Sequence, residues 1–599
     1  MKKMISRRAF MRAAGITAAA AAVTTAAPAA SAASFWPFTM DLQILATSDT
    51  HGKFDPWDYA ANKEDTSGSV AQQAAAIKQL RTPDTLVIDA GDTIQGNSSQ
   101  LFLEDDIHPM VAAMNAIGYD IWVPGNHEYN YGMDVIQKVM AQQKAQVLTG
   151  NVYAPDGTPL ANSYTILKKR DVRIGLIGMV TPNITRWDAV NLTGWTVTNP
   201  VDECRKVIDQ IKDQVDVLIG VMHMDTENEY GVYGSGVTDL ANACPEFDVI
   251  IAAHGHKEIP GEEINGVLVI ENKNAGATMS DIHLQLHRKL DGGWKVASRS
   301  SESIQIKDYQ ADPELVALLA PYDERAKADA VIPIGELVGG NMAPDNEIEN
   351  IPSPMVQDTA LLDFINEVQL YYTGAQVSAT AMTSMTGQMR EGTIRKCDLT
   401  SIYTYENTLY KLQMNGAQLR DYMEWSAAFY KTWQPGDLTI AFDPDTRYYL
   451  YDAFAGVNYE IDISQEPGNR IRNLTWPDGT PVADTDSFAI AVNNYRATTQ
   501  LLIAADIFAP GEAMPQLLEM DVRGDLGGIR ELLGEYIQTV KGGVIQPHVD
   551  NNWKLVGNNW DPAKHQQAVE MLRAGTLTLP GNEDARTLPS TVITEASLG

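Results

Sequence analysis

Between about residues 40 and 300, short apolar runs alternate with stretches of helical periodicity. The runs at 42–46, 85–88, 121–123, 174–180, 217–222, 249–253 and 267–270 are mostly β-rich and nearly unbroken, the pattern of strands covered on both faces. Between them, 69–81, 109–117, 133–143 and 200–214 carry apolar positions at helical spacing. Strand, helix, strand predicts a layered α/β domain over 40–300. Residues 301–354 mix Pro, Asn and acids and are read as a connector containing a helix near 312–330. A second domain is expected over 355–545. It opens with an amphipathic helix at 359–372 and continues through β-rich text at 447–451, 458–463 and 488–492. Residues 546–599, rich in Asn, Trp and Pro, read as a wrapping tail.

The first 32 residues follow a different rule. Ser6-Arg7-Arg8-Ala9-Phe10-Met11-Arg12 precedes an Ala-rich run and an A-x-A site at Ala30-Ser31-Ala32. This is the pattern of a twin-arginine export signal, and it predicts a periplasmic, extracellular or cell-surface protein. No later segment approaches the ~20 apolar residues needed to span a bilayer.

The 599 residues include 45 Lys+Arg against 77 Asp+Glu, a formal charge of −32. Such a balance argues against nucleic-acid polymers or anionic membrane as the main partner. A small phosphorylated substrate held through metal ions is compatible with it. Three cysteines, Cys204, Cys244 and Cys397, cannot build a disulfide framework. Whether Cys204 and Cys244 pair is left open.

Seven residues near predicted strand ends carry candidate chemistry. They are Asp49 and His51 in Ser48-Asp49-Thr50-His51-Gly52, Asp92 in Gly91-Asp92-Thr93, and Asn126 in Gly125-Asn126-His127-Glu128. The others are His223 in Met222-His223-Met224-Asp225, and His254 and His256 in Ala253-His254-Gly255-His256. Imidazoles and carboxylates are ligand types for Mn, Fe, Co or Zn. In D-x-H and H-x-H, alternate residues share a direction if the backbone is extended. Each pair is therefore expected to offer two ligands to one site, beyond the carboxyl ends of strands.

The order D-x-H, G-D, G-N-H-E, H, H-x-H resembles the calcineurin-like metallophosphoesterase superfamily. Tyr405-Glu406-Asn407-Thr408-Leu409, the stretch from Tyr449 to Tyr459, and Asn493-Asn494-Tyr495-Arg496-Ala497 resemble the C-terminal domain of the 5'-nucleotidase family. Together they are most similar to the 2',3'-cyclic-nucleotide 2'-phosphodiesterase/3'-nucleotidase branch. The resemblance implies an αββα N-terminal sandwich followed by an α+β nucleotide-recognition domain.

It also implies two divalent metal ions. Asp49, His51 and His256 would hold one, Asn126, His223 and His254 the other, and Asp92 would bridge them. Two cations ~3.5–4 Å apart clamp a phosphoryl group and activate a water to attack phosphorus. His127 resembles the histidine that stabilises the transition state or protonates the leaving oxygen. Many 5'-nucleotidases pair that histidine with an acid where this chain has Asn130, a departure that favours the cyclic-nucleotide branch. Base stacking would fall to Tyr449 or Tyr451 on one side and Tyr495 on the other, with Asn407 and Asn494 at base or ribose edges. Thr498-Thr499-Gln500 replaces the Gly-Gly common in relatives at the second half of that clamp. Arg390 and Arg395 are either phosphate contacts or surface residues.

The resemblance thus predicts an exported two-metal hydrolase of 2',3'-cyclic nucleotides and 3'-nucleotides. The alternatives are a 5'-nucleotidase or nucleotide-sugar hydrolase, and a non-catalytic nucleotide-binding protein. Metals on one domain and a base clamp on the other require a cleft between them, with a hinge expected around 312–330.

Overall fold

The computed structural model describes residues 39–599 apart from 291, 505 and 582–585. The export signal read at 1–32 lies outside the described residues. The N-terminal domain is built on two six-stranded mixed sheets. In the first, Thr39–Thr47 pairs in parallel with Leu86–Asp89, followed by Ile121–Trp122 and Gln146–Val147; Thr278–Arg288 and Trp294–Gln305 complete the antiparallel edge. In the second, Val172–Val180, Val217–His223, Val249–Ala252 and Val267–Glu271 run parallel, with antiparallel strands at both edges.

Alternation along each strand separates the layers. Leu42, Ile44 and Ala46 join Val217, Ile219 and Val221 in the core between the sheets. Leu45 points the other way, to Ile77, Val111 and Met114 of the helices Val70–Leu80 and Pro109–Ile117. Leu218 and Met222 likewise meet Cys204, Ile208 and Ile211 of the helix Pro200–Ile211. The Asn199 side chain accepts from the Val201 and Asp202 amides and starts that helix, with Pro200 in its first turn. The result is the helix–sheet–sheet–helix sandwich expected.

The C-terminal domain centres on a five-stranded sheet in the order Asp452–Ala455, Val377–Ala381, Ser487–Asn493, Leu409–Asn415, Gln516–Glu519. The helix Ala360–Thr373 buries Leu361, Phe364, Ile365 and Val368 in its core. Residues 447–451 are not a strand: Tyr448–Leu450 form a 3-10 turn, and the strand begins at Asp452.

Residues 301–354 divide between the domains. The helix Pro313–Ala330 packs Leu315, Leu319 and Ala326 against Phe54, Val70 and Met110 of the N-terminal domain. Pro333–Leu337 pairs with Gly392–Arg395 and Val544–Ile545, so the C-terminal domain already begins there. The tail adds the strand Trp553–Val556, parallel to Asn458–Asp462. Cys204, Cys244 and Cys397 are free and buried. No helix among the described residues is long and apolar enough to cross a membrane.

Candidate metal centre and substrate cleft

The parallel register aligns the strand ends: Thr47 lies opposite Asp89, and Met222 opposite both Met179 and Ala252. The loops that leave these ends meet in one place. Asp49 N–H donates to Gly91 O (2.8 Å) and His51 N–H to Asp92 O (3.0 Å), joining the first two loops. His254 N–H donates to Asp49 Oδ1 at 3.0 Å and brings in the last.

The expectation of extended backbone in D-x-H and H-x-H is overturned. Asp49 (φ 50°), His51 (46°), Asp92 (56°), His254 (72°) and His256 (58°) all adopt the left-handed region. Side chains converge because the chain turns tightly at each, a conformation that costs a non-glycine residue about 1–3 kcal/mol and concentrates at functional sites. Gly125 permits a close approach of the Asp92 and His223 side chains. A Cβ there would fall 2.3 Å from Asp92 Oδ1 and 2.4 Å from His223 Cε1.

All seven expected ligands come together. Donor atoms of Asp49, His51, Asp92 and His256 lie within 4.8 Å of one another, as do those of Asp92, His223 and His254. Asp92 is common to both groups. Asn126 Oδ1 completes the second, 3.0 Å from His223 Nε2 and 2.8 Å from His254 Nδ1.

The donor set fits cations. Asp49 and Asp92 each spend Oδ1 on a backbone amide, of His254 and His127 respectively. Their Oδ2 atoms are buried with no hydrogen-bond partner. His223 Nδ1–H donates to Ala90 O (2.7 Å), and His254 Nε2–H to Glu229 Oε2 (3.1 Å). This leaves His223 Nε2 and His254 Nδ1 both facing the carbonyl oxygen of Asn126, an arrangement satisfied by positive charge there, either as ring protons or as a bound cation. His51 Nδ1–H donates to Gln95 Oε1 at 3.0 Å, which turns Nε2 toward His256 Nε2, 3.1 Å away.

The local field makes the same demand. Burial alone would lower His223, yet the Asp92 and Asp49 carboxylates raise it to about 10. Burial would raise Asp92, but the imidazoles of His223, His127 and His51 hold it well below the ordinary carboxylate range. His51 is pushed down to about 4, chiefly by burial and then by neighbouring histidines, so its ligand lone pair is free at neutral pH.

His127 follows Asn126 on the short turn Asn126–Tyr129 and is not in either donor group. Its Nδ1 is 2.7 Å from Asn130 Oδ1. Asn130 Nδ2 donates to both Asp188 oxygens, at 3.1 and 3.2 Å, which orients the amide with its oxygen toward His127. Asp188 therefore supplies remotely the carboxylate missing at position 130.

Glu128 accepts from four backbone amides: Thr93 and Ile94 at Oε1 (2.6 and 3.0 Å), Asp92 and Gly125 at Oε2 (2.9 and 2.6 Å). Burial pushes its pKa up and Asp92 adds to this, while the amides pull it back. In sequence Glu128 stands within the Gly125-Asn126-His127-Glu128 motif with nothing to mark this role. Gln95, Asp188 and Glu229 carried no spacing signal at all.

A cavity of about 650 Å³ opens from the centre between the domains. Asn126, His127 and His254 line it, and so do Tyr449, Tyr495, Asn407, Asn494, Tyr405 and Tyr230. Tyr451 does not reach it: its ring is buried and stacks on Phe429 at 5.2 Å, so of the two candidates only Tyr449 faces the cleft. Tyr449 points inward from the 3-10 turn, its hydroxyl accepting from Arg447 at 2.9 Å. Asn494 Oδ1 accepts from the Thr408 amide, so this side chain also ties two loops together. Thr498 lines the cavity within a π-helical turn, Ala497–Leu501. Arg390 and Arg395 are surface residues, outside the lining.

Residues 42–258 match the calcineurin-like phosphoesterase family, and residues 340–502 match the 5'-nucleotidase C-terminal domain. The chain is 27% identical over 602 residues to the 2',3'-cyclic-nucleotide 2'-phosphodiesterase/3'-nucleotidase of Haemophilus influenzae, covering 86% of this chain and 88% of that protein. It is also 27% identical over 589 residues to the trifunctional nucleotide phosphoesterase protein YfkN of Bacillus subtilis. That match covers 86% of this chain and only 39% of the relative's length. Among solved structures, a Staphylococcus aureus protein in complex with alpha-ketoglutarate superimposes with a TM-score of 0.73 at 20% identity. It covers 86% of this chain and all (100%) of its own, a likeness of fold.

Proposed function

This chain is a metal-dependent hydrolase that joins a calcineurin-like metallophosphoesterase domain to a 5'-nucleotidase C-terminal domain, and from that premise we propose that it hydrolyses 2',3'-cyclic nucleotides and 3'-nucleotides. The observation that carries the proposal is the convergence of seven donors, with two buried carboxylate oxygens that accept no hydrogen bond, beside a cleft also lined by tyrosines. The choice of branch is supported by the full-length relative of that name and by Asn130 beside His127. The leader pattern supports export.

In this reading Asp49, His51, Asp92 and His256 hold one divalent ion, and Asp92, Asn126, His223 and His254 the other. Such a pair, when bound, clamps the phosphoryl oxygens and makes a water nucleophilic at neutral pH. His127 is held by Asn130 with Nε2 available to the substrate, and hands a proton to the leaving ribose oxygen. Tyr449 and Tyr495 receive the base by stacking, which tolerates any base. Asn407, whose Nδ2 donates to the Tyr403 hydroxyl at 3.4 Å, meets a base or ribose edge through its amide.

Purified protein with Mn or Co is expected to release phosphate from 3'-AMP and to open 2',3'-cyclic AMP faster than it attacks 5'-AMP. Preference for 5'-AMP or a nucleotide sugar would move the enzyme to another branch. Nucleotide binding without turnover of any substrate, with metal present, would end the hydrolase reading.

A further inference from the structure

The C-terminal tail, read from the sequence as wrapping the fold, reaches the candidate metal centre. Tyr448 N–H donates to Arg586 O (2.8 Å), Phe442 N–H to Pro589 O (3.0 Å), and Leu438 N–H to Ile593 O (2.7 Å). Leu588 and Ile593 are buried in the core of the C-terminal domain. These anchors fix the backbone at 586 beside the 3-10 turn that carries Tyr449. From there the Arg586 side chain crosses into the cleft, where its guanidinium contacts His256 Nδ1.

Three arginines line the cavity, with no lysine among the lining residues. Arg496 is locked by a buried bridge to Asp452 (2.6 Å) and a bond to Tyr449 O. Arg447 donates to the Tyr449 hydroxyl. Only Arg586 of the three touches an expected metal ligand. Burial lowers its pKa, against the Asp49, Asp225 and Glu229 carboxylates, which favour its charged form. An anion bound at the dinuclear centre would have metal on one side and this guanidinium on the other. A planar fork of N–H donors matches two phosphate oxygens at once.

Resting on the reading of the cleft as a phosphoesterase site, we infer that Arg586 is a phosphate-binding residue delivered by the tail. Position 586 lies outside both stretches that match known families.

Inorganic phosphate is the probe, titrated calorimetrically into full-length manganese-loaded protein. Because no turnover is required, the result is independent of which nucleotide the enzyme prefers. Arg586→Ala is expected to weaken phosphate binding at least tenfold, with metal content and thermal transition as in wild type. Arg586→Lys should recover part of the loss. Phosphate affinity within twofold of wild type in Arg586→Ala would overturn the assignment. So would loss of bound metal in both variants, which would make Arg586 a support for His256 instead. Should Arg586→Ala unfold, Arg586→Lys decides alone: weakened phosphate binding at full metal content supports the assignment, and unchanged binding overturns it.

Discussion

Glu128 offers the sharpest test of how the centre is assembled. Its two oxygens each accept two backbone amides, and those amides belong to the loops that carry Asp92 and Asn126. In Glu128→Gln one oxygen becomes an NH2 group facing two N–H donors. Two charge-assisted bonds worth about 1.5–3 kcal/mol each are lost, so the variant is less stable by about 3–6 kcal/mol. At about 2 °C per kcal/mol for a domain of this size, the N-terminal transition falls by roughly 6–12 °C. Scanning calorimetry on metal-free protein measures this directly. Metal analysis adds a second readout, because a loosened Asp92 loop lowers the content below two ions per chain. A variant that melts within about 2 °C of wild type and keeps full metal content would refute the claim that Glu128 ties the loops.

Three further outcomes are expected. His127→Ala lowers kcat by roughly 10²–10⁴ while both ions stay bound, and Asn130→Ala loses a smaller part of the rate; loss of metal in either would show a structural role. Tyr449→Ala and Tyr495→Ala raise KM by roughly 5- to 150-fold, the loss of ~1–3 kcal/mol of base stacking. Tyr451→Ala instead loses about 3–5 kcal/mol of core stability with KM unchanged, and thermal melts beside steady-state kinetics separate the two. His283 is raised to about 9 by its bond to Asp281 and then by Asp41. Its contribution is complete below about pH 6.5 and is lost as pH climbs through 9. Since the side chain is a third exposed, screening leaves about 1 kcal/mol, so wild type loses that much relative to His283→Gln between pH 6 and 10 in urea titrations.

The converging donors were legible because they are uncommon residue types just beyond apolar strands, where a parallel sheet gathers its loops. How they converge was not legible. Spacing suggested extended pairs, whereas left-handed turns at Asp49, His51, Asp92, His254 and His256 aim the side chains. The same limit explains Tyr451. Two tyrosines two positions apart look alike in sequence, and only the 3-10 turn before Asp452 sends Tyr449 into the cleft and Tyr451 into the core. Asp188 and Arg586 act across 58 and 330 positions of chain, and no local pattern records such contacts. The end of the connector was not legible because composition marks irregular text, not which domain a strand joins. Pro333–Leu337 reads as linker and pairs as sheet.

The dinuclear centre itself is tested most directly by anomalous diffraction from crystals of the manganese-loaded protein. Two peaks are predicted, one among Asp49, His51, Asp92 and His256 and one among Asp92, Asn126, His223 and His254, with Asp92 contacting both. A single peak, or peaks that leave Asp92 without metal contact, would contradict the account.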